Sequence, residues 1–290
     1  MLGGTLIYAI INSAILAITA LGFNLTFGIS GVANFAYGAF YVLAAYGIWI
    51  LFHLVGIPYP LAMLIAVATC TALGALMYRF VLMRVKGQAL SEVIATFAIG
   101  LIILELFRFT GLVGFEYTLP VLSDKSYILA GTYVDMQRLF IVMMAAVLML
   151  LLWLFTHHTS LGLAFRGIAQ DERTALTFGM DADRIAMLAV SLGAGLAAVS
   201  ATVIVPLGSI SPDEGYDVLI KALAVCIIGG LGSSGGVIVA SLVIGFAERF
   251  TDSYLGSQWT MIVSLAALLV VLVVKPSGIF GKQKELEERI

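Results

Sequence analysis

The feature that most constrains this chain is a succession of apolar runs near residues 5–27, 33–53, 59–83, 89–112, 136–158, 185–206 and 258–275. Each is long enough to cross the hydrocarbon core of a bilayer as an α-helix, which takes about 20 residues. Apolar residues make up 61% of the 290 and charged residues 11%, against roughly 45–50% and 25% in soluble domains. That leaves too little polar surface to coat a water-facing globule. The sequence therefore predicts one all-α polytopic membrane domain over residues 1–290. The first run has no basic segment before it and no small-residue cleavage pattern, so it is expected to stay as a span.

An eighth stretch, 217–250, is apolar but is interrupted by Gly229, Gly230, Gly232, Gly235 and Gly236. It divides into pieces of about 13 and 15 residues and reads either as one kinked span or as a hairpin of two short helices. Charge decides between them, because Lys and Arg near span ends favour the cytoplasm. Arg79, Arg84 and Lys86 follow the third run, and Arg166, Arg173 and Arg184 lie in the loop 159–184. Lys275, Lys282, Lys284 and Arg289 follow the last run, and these three groups hold 10 of the 15 Lys and Arg. They share one side only if 217–250 crosses an even number of times. The expectation is about seven full spans plus a glycine-split hairpin, with its turn and the C-terminus cytoplasmic and the N-terminus outside. The loop 113–135, with Glu116, Asp124 and Asp135, and the segment 211–215 would form a mildly acidic outer face.

A net charge of −2 gives no basic surface for nucleic acid. Catalytic chemistry is equally sparse. His157 and His158 are neighbours that point about 100° apart on a helix and cannot close a metal site, and His53 lies at a span end. Cys70 and Cys226 lie in apolar runs and read as small buried hydrophobes. The glycine-rich run 229–236 lacks the lysine of a phosphate loop, so the chain is not expected to bind ATP itself. Close backbone packing, with Gly232 and Gly236 at GxxxG spacing, is the favoured use of these glycines. Among ionisable residues in apolar runs, Glu105 and Arg108 are spaced to pair, Glu248 and Arg249 are expected to reach an interface, and Glu92 lies near a span end.

The segment from Gly22 to Gly38 carries Asn24, Asn34, several hydroxyls and four glycines, a composition tolerated at membrane depth where it lines protein or water. Asn34 and Tyr37 fall on one helix face, with Gly38 beside them. Ser233 and Ser234 precede a helix whose N-terminal N–H groups suit a carboxylate. Asn34, Tyr37, Gly38, Ser233 and Ser234 are accordingly the candidate solute path. In the loop 159–184, Phe165, Ile168, Ala169, Ala175, Leu176 and Phe178 alternate with charges as in short amphipathic helices, and Gly179 reads as a helix stop. With so few charges, docking in a partner's groove is favoured over lying on lipid.

Gly162, Arg166, Ala169, Asp171, Ala175 and Gly179 meet the spacing G-x-x-x-R-x-x-A-x-[DN]-x-x-x-A-x-x-x-G. This resembles the coupling loop of branched-chain amino acid type ABC permeases. Asn34-Phe35-Ala36-x-Gly38, the stretch from Lys221-Ala222 to Gly229-Gly230-Leu231-Gly232-Ser233, and Lys275-Pro276-Ser277-Gly278-Ile279-Phe280-Gly281 are similar to the LivH-like half of that family. The resemblance implies a multi-pass permease of a prokaryotic inner membrane. Its partners would be a second, LivM-like permease, two cytoplasmic ATPases that bind ATP and Mg, and an extracytoplasmic solute-binding protein. The solute would be a branched-chain amino acid or a related small polar molecule, since relatives also import urea, short amides or aromatic carboxylates. Tyr37 stands where family members often have His, and Ala39 where many have an acid. The rival reading is an ion-coupled secondary transporter or channel. It would call for an unpaired acid at mid-span and inverted halves, neither of which is evident.

Overall fold

A computed structural model of the chain describes residues 2–31, 33–113, 117–123, 125–129 and 131–281. The predicted charges Glu116, Asp124, Lys282, Lys284 and Arg289 lie outside those residues, and nothing is described of the Arg173 side chain. The apolar runs form α1 (Leu2–Ser30), α2 (Tyr37–Trp49), α3 (Tyr59–Met77) with its last turn α4 (Met83–Val85), and α5 (Ala89–Phe109). Single π-helical turns, Ile50–Leu54 and Tyr78–Leu82, extend α2 and join α3 to α4. A two-stranded antiparallel hairpin, β1 (Ser126–Leu129) and β2 (Thr132–Asp135), precedes α6 (Met136–His158). Two short helices, α7 (Ser160–Gln170) and α8 (Glu172–Thr177), lead to α9 (Ala182–Ile204), and the chain ends in α10 (Glu214–Gly229), α11 (Ser234–Tyr254) and α12 (Thr260–Val274).

Eight helical stretches among the described residues are long and apolar enough to cross a membrane, and α10 is a ninth, shorter apolar helix. Residues 217–250 are thus a hairpin rather than one kinked span. Its arms are longer than the glycine spacing suggested, at 16 and 21 residues. At the turn, Gly230 and Gly232 adopt positive φ (99° and 81°), which L side chains avoid. The two arms then meet backbone to backbone. A Cβ on Gly229 would lie 2.5 Å from the Gly236 carbonyl carbon.

Packing places α1, α2 and α9 at the centre, where alanines fill the seams. Ala189, Ala194, Ala197, Ala198 and Ala201 of α9 are all fully buried. Lipid supplies no hydrophobic drive between helices, so close approach of small residues must hold such a bundle. α12 is peripheral: of its described side chains only Ser264 is buried, while Ala267, Leu268 and Val271 pack against the core and the other face is exposed.

The contacts also sort the two ends. At one end the backbones of Gly28 and Gly232 touch, Asn24 Oδ1 accepts from Gly232 N at 2.9 Å, and Ile279 N and Phe280 N donate to the carbonyls of Ile228 and Gly229. Lys86 pairs with Asp183 at this end too. The glycine turn, the chain after α12 and the loop 159–184 therefore share a side, as the charge parity required. At the other end Tyr8 donates to the carbonyl of Tyr133, and Arg108 bridges Glu105 and Asp213.

Three expectations are corrected or extended. Glu248 does not reach an interface; it is buried (6% exposed), accepting from Asn12 Nδ2 at 2.9 Å and from Ser264 Oγ. The Glu105–Arg108 pair is extended across the fold to Asp213. The second span begins later than its hydropathy: residues 33–36 are not helical. They lie at membrane depth, with Phe35 N donating to Thr96 Oγ1 and Ala36 against Gly100, midway along α5. Irregular backbone at that depth is tolerated because protein surrounds it.

Candidate functional site

The loop 159–184 folds into short helices, as expected, and they are two, α7 and α8. Thr159 caps α7 by accepting from Gly162 N (2.9 Å), and Asp171 caps α8 by accepting from Thr174 N (3.2 Å); both satisfy N–H groups that lack intrahelical partners. Gly162 is required by the corner between α6 and α7, since a Cβ there would lie 2.6 Å from Thr156 Cα. Gly179 (φ 78°) ends α8, with Gly179 N bonded to Leu176 O and Met180 N to Ala175 O, the left-handed stop expected of it.

The pair presents two unlike faces. Phe165, Ile168 and Ala175 are buried with Ile185 and Ala189 of α9 and pack against Leu25 and Ile29 of α1. Leu161, Leu163, Leu176 and Phe178 point away from the body, with Phe178 78% exposed. Ala169 and Arg166 are half-buried, and Arg166 Nε has no partner among the described residues. An apolar outward face on helices bedded into the two most buried spans can take a partner's push and pass it to them.

The five candidate path residues do not form one cluster. Asn34 is buried (3% exposed); its Oδ1 accepts from Ala36 N, while Nδ2 has no partner among the described residues. Tyr37 is fully buried, edge-on to Phe23, and donates to the Thr19 carbonyl at 2.8 Å. Gly38 lies against the backbone of Gly215 at the start of α10. Ser233 caps α11 by accepting from Gly236 N, and Ser234 is exposed in its first turn. Asn24, from the same polar segment, is the residue that reaches the glycine turn. Among the described residues no group of three His, Cys, Asp or Glu is placed to hold a metal ion.

Residues 5–272 match the family described as branched-chain amino acid transport system, permease component. The chain belongs to this family. It is 29% identical to the permease protein BraD of a high-affinity branched-chain amino acid transport system from Pseudomonas aeruginosa, over 92% of this chain and 91% of that one. The same figures relate it to LivH of Escherichia coli K12. LivM of Salmonella typhimurium is 25% identical over 90% of this chain and 67% of its own length. Among solved structures, PsaBC from Streptococcus pneumoniae in complex with Fab matches with a TM-score of 0.51 at 16% identity, over 95% and 94% of the two chains; this likeness concerns the fold alone.

The sequence reading passed over Asp217, placed Glu214 only within the acidic segment 211–215, and named Lys221 only within a stretch that resembles the family. Glu214, Asp217 and Lys221 sit within or beside an apolar run whose average hides them, and only their i, i+3, i+7 spacing on one helix could have drawn them out.

Proposed function

We propose that this chain is the permease subunit of an ABC importer for branched-chain amino acids or related small polar solutes. It would be driven by ATP and Mg bound in cytoplasmic partner ATPases. The observation that carries the reading is the α7–α8 pair, with Leu176 and Phe178 exposed on one face and Phe165 and Ile168 seated against α1 and α9 on the other. Such a face suits an apolar groove. A second, LivM-like permease and an extracytoplasmic binding protein would complete the machine in a prokaryotic inner membrane. In this arrangement α7–α8, the glycine turn and the C-terminus are cytoplasmic and the N-terminus is outside, as the distribution of Lys and Arg supports.

The solute route would pass the inner ends of α1 and α2 and the glycine turn. Asn34 and Ser234 would offer polar groups there, with Tyr37 and Gly38 shaping the wall behind them. The test is reconstitution with the candidate ATPases, partner permease and binding protein in proteoliposomes. ATP-dependent uptake of labelled leucine supports the reading. Uptake driven by an ion gradient without ATP would replace it with the secondary-transporter reading.

A further inference from the structure

The charges of α10 are gathered on one side. At 100° per residue, Glu214, Asp217 and Lys221 fall within an arc of about 60°. Asp217 and Lys221 are exposed and Glu214 is half-buried. The other side of the helix is packed: Gly215, Leu219, Ala222, Cys226 and Gly229 are all buried. None of the ion pairs among the described residues engages Asp217 or Lys221.

This strip runs inward from the outer end of α10, where Asp213 meets Arg108, toward the middle of the bundle. Gly215 packs against Leu104 and Gly38, and Leu104 is five residues inside the end of α5 at Phe109. Lys221 is a further six residues along α10, about 9 Å deeper, and about 12 Å short of Gly229 at the far end. A lysine stem can bend toward headgroups, but Asp217 has a single methylene and no such reach. Ionised groups at this depth face water or protein rather than lipid.

We propose that this strip borders the aqueous route between the subunit and its partner permease and forms a transfer site for a zwitterionic α-amino acid. Lys221 receives the α-carboxylate, and Asp217 with Glu214 receives the α-ammonium. The inference rests on the importer reading above and deepens it by naming residues that would hold the solute in transit. An α-amino acid carries its opposite charges on neighbouring atoms of one carbon. A flexible ammonium and a carboxylate one helical turn apart can therefore engage both together, and neither is in an ion pair among the described residues. Ile220, also exposed, lies beside them as apolar surface for an aliphatic side chain. A neutral solute such as urea would gain little from this arrangement, since charge-assisted hydrogen bonds are the strong ones.

The test uses the complete transporter in proteoliposomes, with labelled leucine as the probe. Lys221→Met is expected to lower ATP-dependent uptake about tenfold or more, the scale of one lost charge-assisted hydrogen bond, while Lys221→Arg keeps most of it and Asp217→Asn falls between. Co-purification with the partner permease should persist in all three. In a chain with Cys70 and Cys226 replaced by alanine, Lys221→Cys should react with a charged, membrane-impermeant thiosulfonate, and saturating leucine should slow that reaction. Wild-type uptake by Lys221→Met overturns the proposal. So does a Lys221→Cys that is shielded from the reagent and cross-links to the partner permease, which would make the strip an intersubunit ion-pair seam. If Lys221→Met fails to assemble, the Lys221→Arg uptake and the labelling decide by the same criteria. Failure of the importer reading looks different: the unaltered complex would then show no ATP-dependent leucine uptake.

Discussion

Gly38→Ala tests whether the start of α2 is held by direct backbone contact with α10. A Cβ built on Gly38 lies 2.7 Å from the Gly215 carbonyl carbon and closer still to its oxygen. Carbon atoms pack comfortably at about 3.5–4.0 Å, and the oxygen is nearer than the carbon, so the two helices would have to part by about 1.5 Å. Neither contact is the far end of a flexible side chain, and the neighbouring Tyr37 is pinned by its bond to the Thr19 carbonyl. Overpacking of this kind costs about 1–3 kcal/mol. Gly215→Ala is the internal control. Its added Cβ meets Leu104 Cδ2 at 3.1 Å and Val42 Cγ2 and Gly38 O at 3.2 Å, and side-chain ends can yield by a few tenths of an ångström. Thermal unfolding in detergent, followed together with membrane abundance, should rank wild type above Gly215→Ala and Gly215→Ala above Gly38→Ala. A larger substitution, Gly38→Leu, should lose abundance before transport can be read. Wild-type unfolding and abundance for Gly38→Ala, or a greater loss for Gly215→Ala, would refute the reasoning.

Glu248→Leu should lower the unfolding midpoint by the equivalent of about 0.6–2 kcal/mol, because Asn12 and Ser264 lose their shared acceptor; Glu248→Gln should lose less, and equal midpoints for both variants would count against the clamp. Asp171→Ala removes the α8 cap, worth about 1 kcal/mol, and is expected to lower transport-stimulated ATP hydrolysis severalfold while Asp171→Ser retains it. Phe178→Asp should abolish co-purification of the ATPase without changing insertion, as judged by membrane abundance. Single cysteines replacing Ser234 and Lys275 should be labelled from the same side of sealed vesicles as one replacing Thr177; labelling from opposite sides would break the parity of the hairpin.

The spans, the hairpin and the α7–α8 pair were legible because each rests on local signals: run length, glycine clusters, basic residues at span ends and a stop glycine at 179. What was not legible depends on distance in sequence. Glu248 reads as a span-end acid until Asn12, 236 residues away, and Ser264 are brought to it. Residues 33–36 have the hydropathy of a span, and only their contacts with Thr96 and Gly100 reveal that the helix starts at mid-depth. The strands at 126–135 lie within the loop 113–135, where polar and apolar residues do not alternate cleanly. Asp217 was hidden by averaging over apolar neighbours and Lys221 was noted only within a family stretch, although a charge within such a run is itself the local signal of a site.

α1 gives these parts a mechanical order. Leu25 and Ile29 pack against the cluster of Phe165 and Ile168 of α7, directly after Asn24, which holds the Gly232 amide; Gly28, between them, touches Gly232 backbone to backbone. Under the importer reading, a displacement of α7–α8 would reach the glycine turn through one helix end, by way of the Leu25, Ile29 and Asn24 side chains and the Gly28 backbone. The turn is in turn clamped by the chain after α12, through Ile279 and Phe280 on Ile228 and Gly229. Because α10 leaves that turn carrying Lys221 on one side and Leu219 on its packed side, any tilt of α10 about Gly229 moves the charged strip relative to α2 and α5. Coupling and solute contact would then be two ends of the same α10 lever, and a substitution that frees the turn, such as Asn24→Leu, should weaken both uptake and its dependence on ATP together.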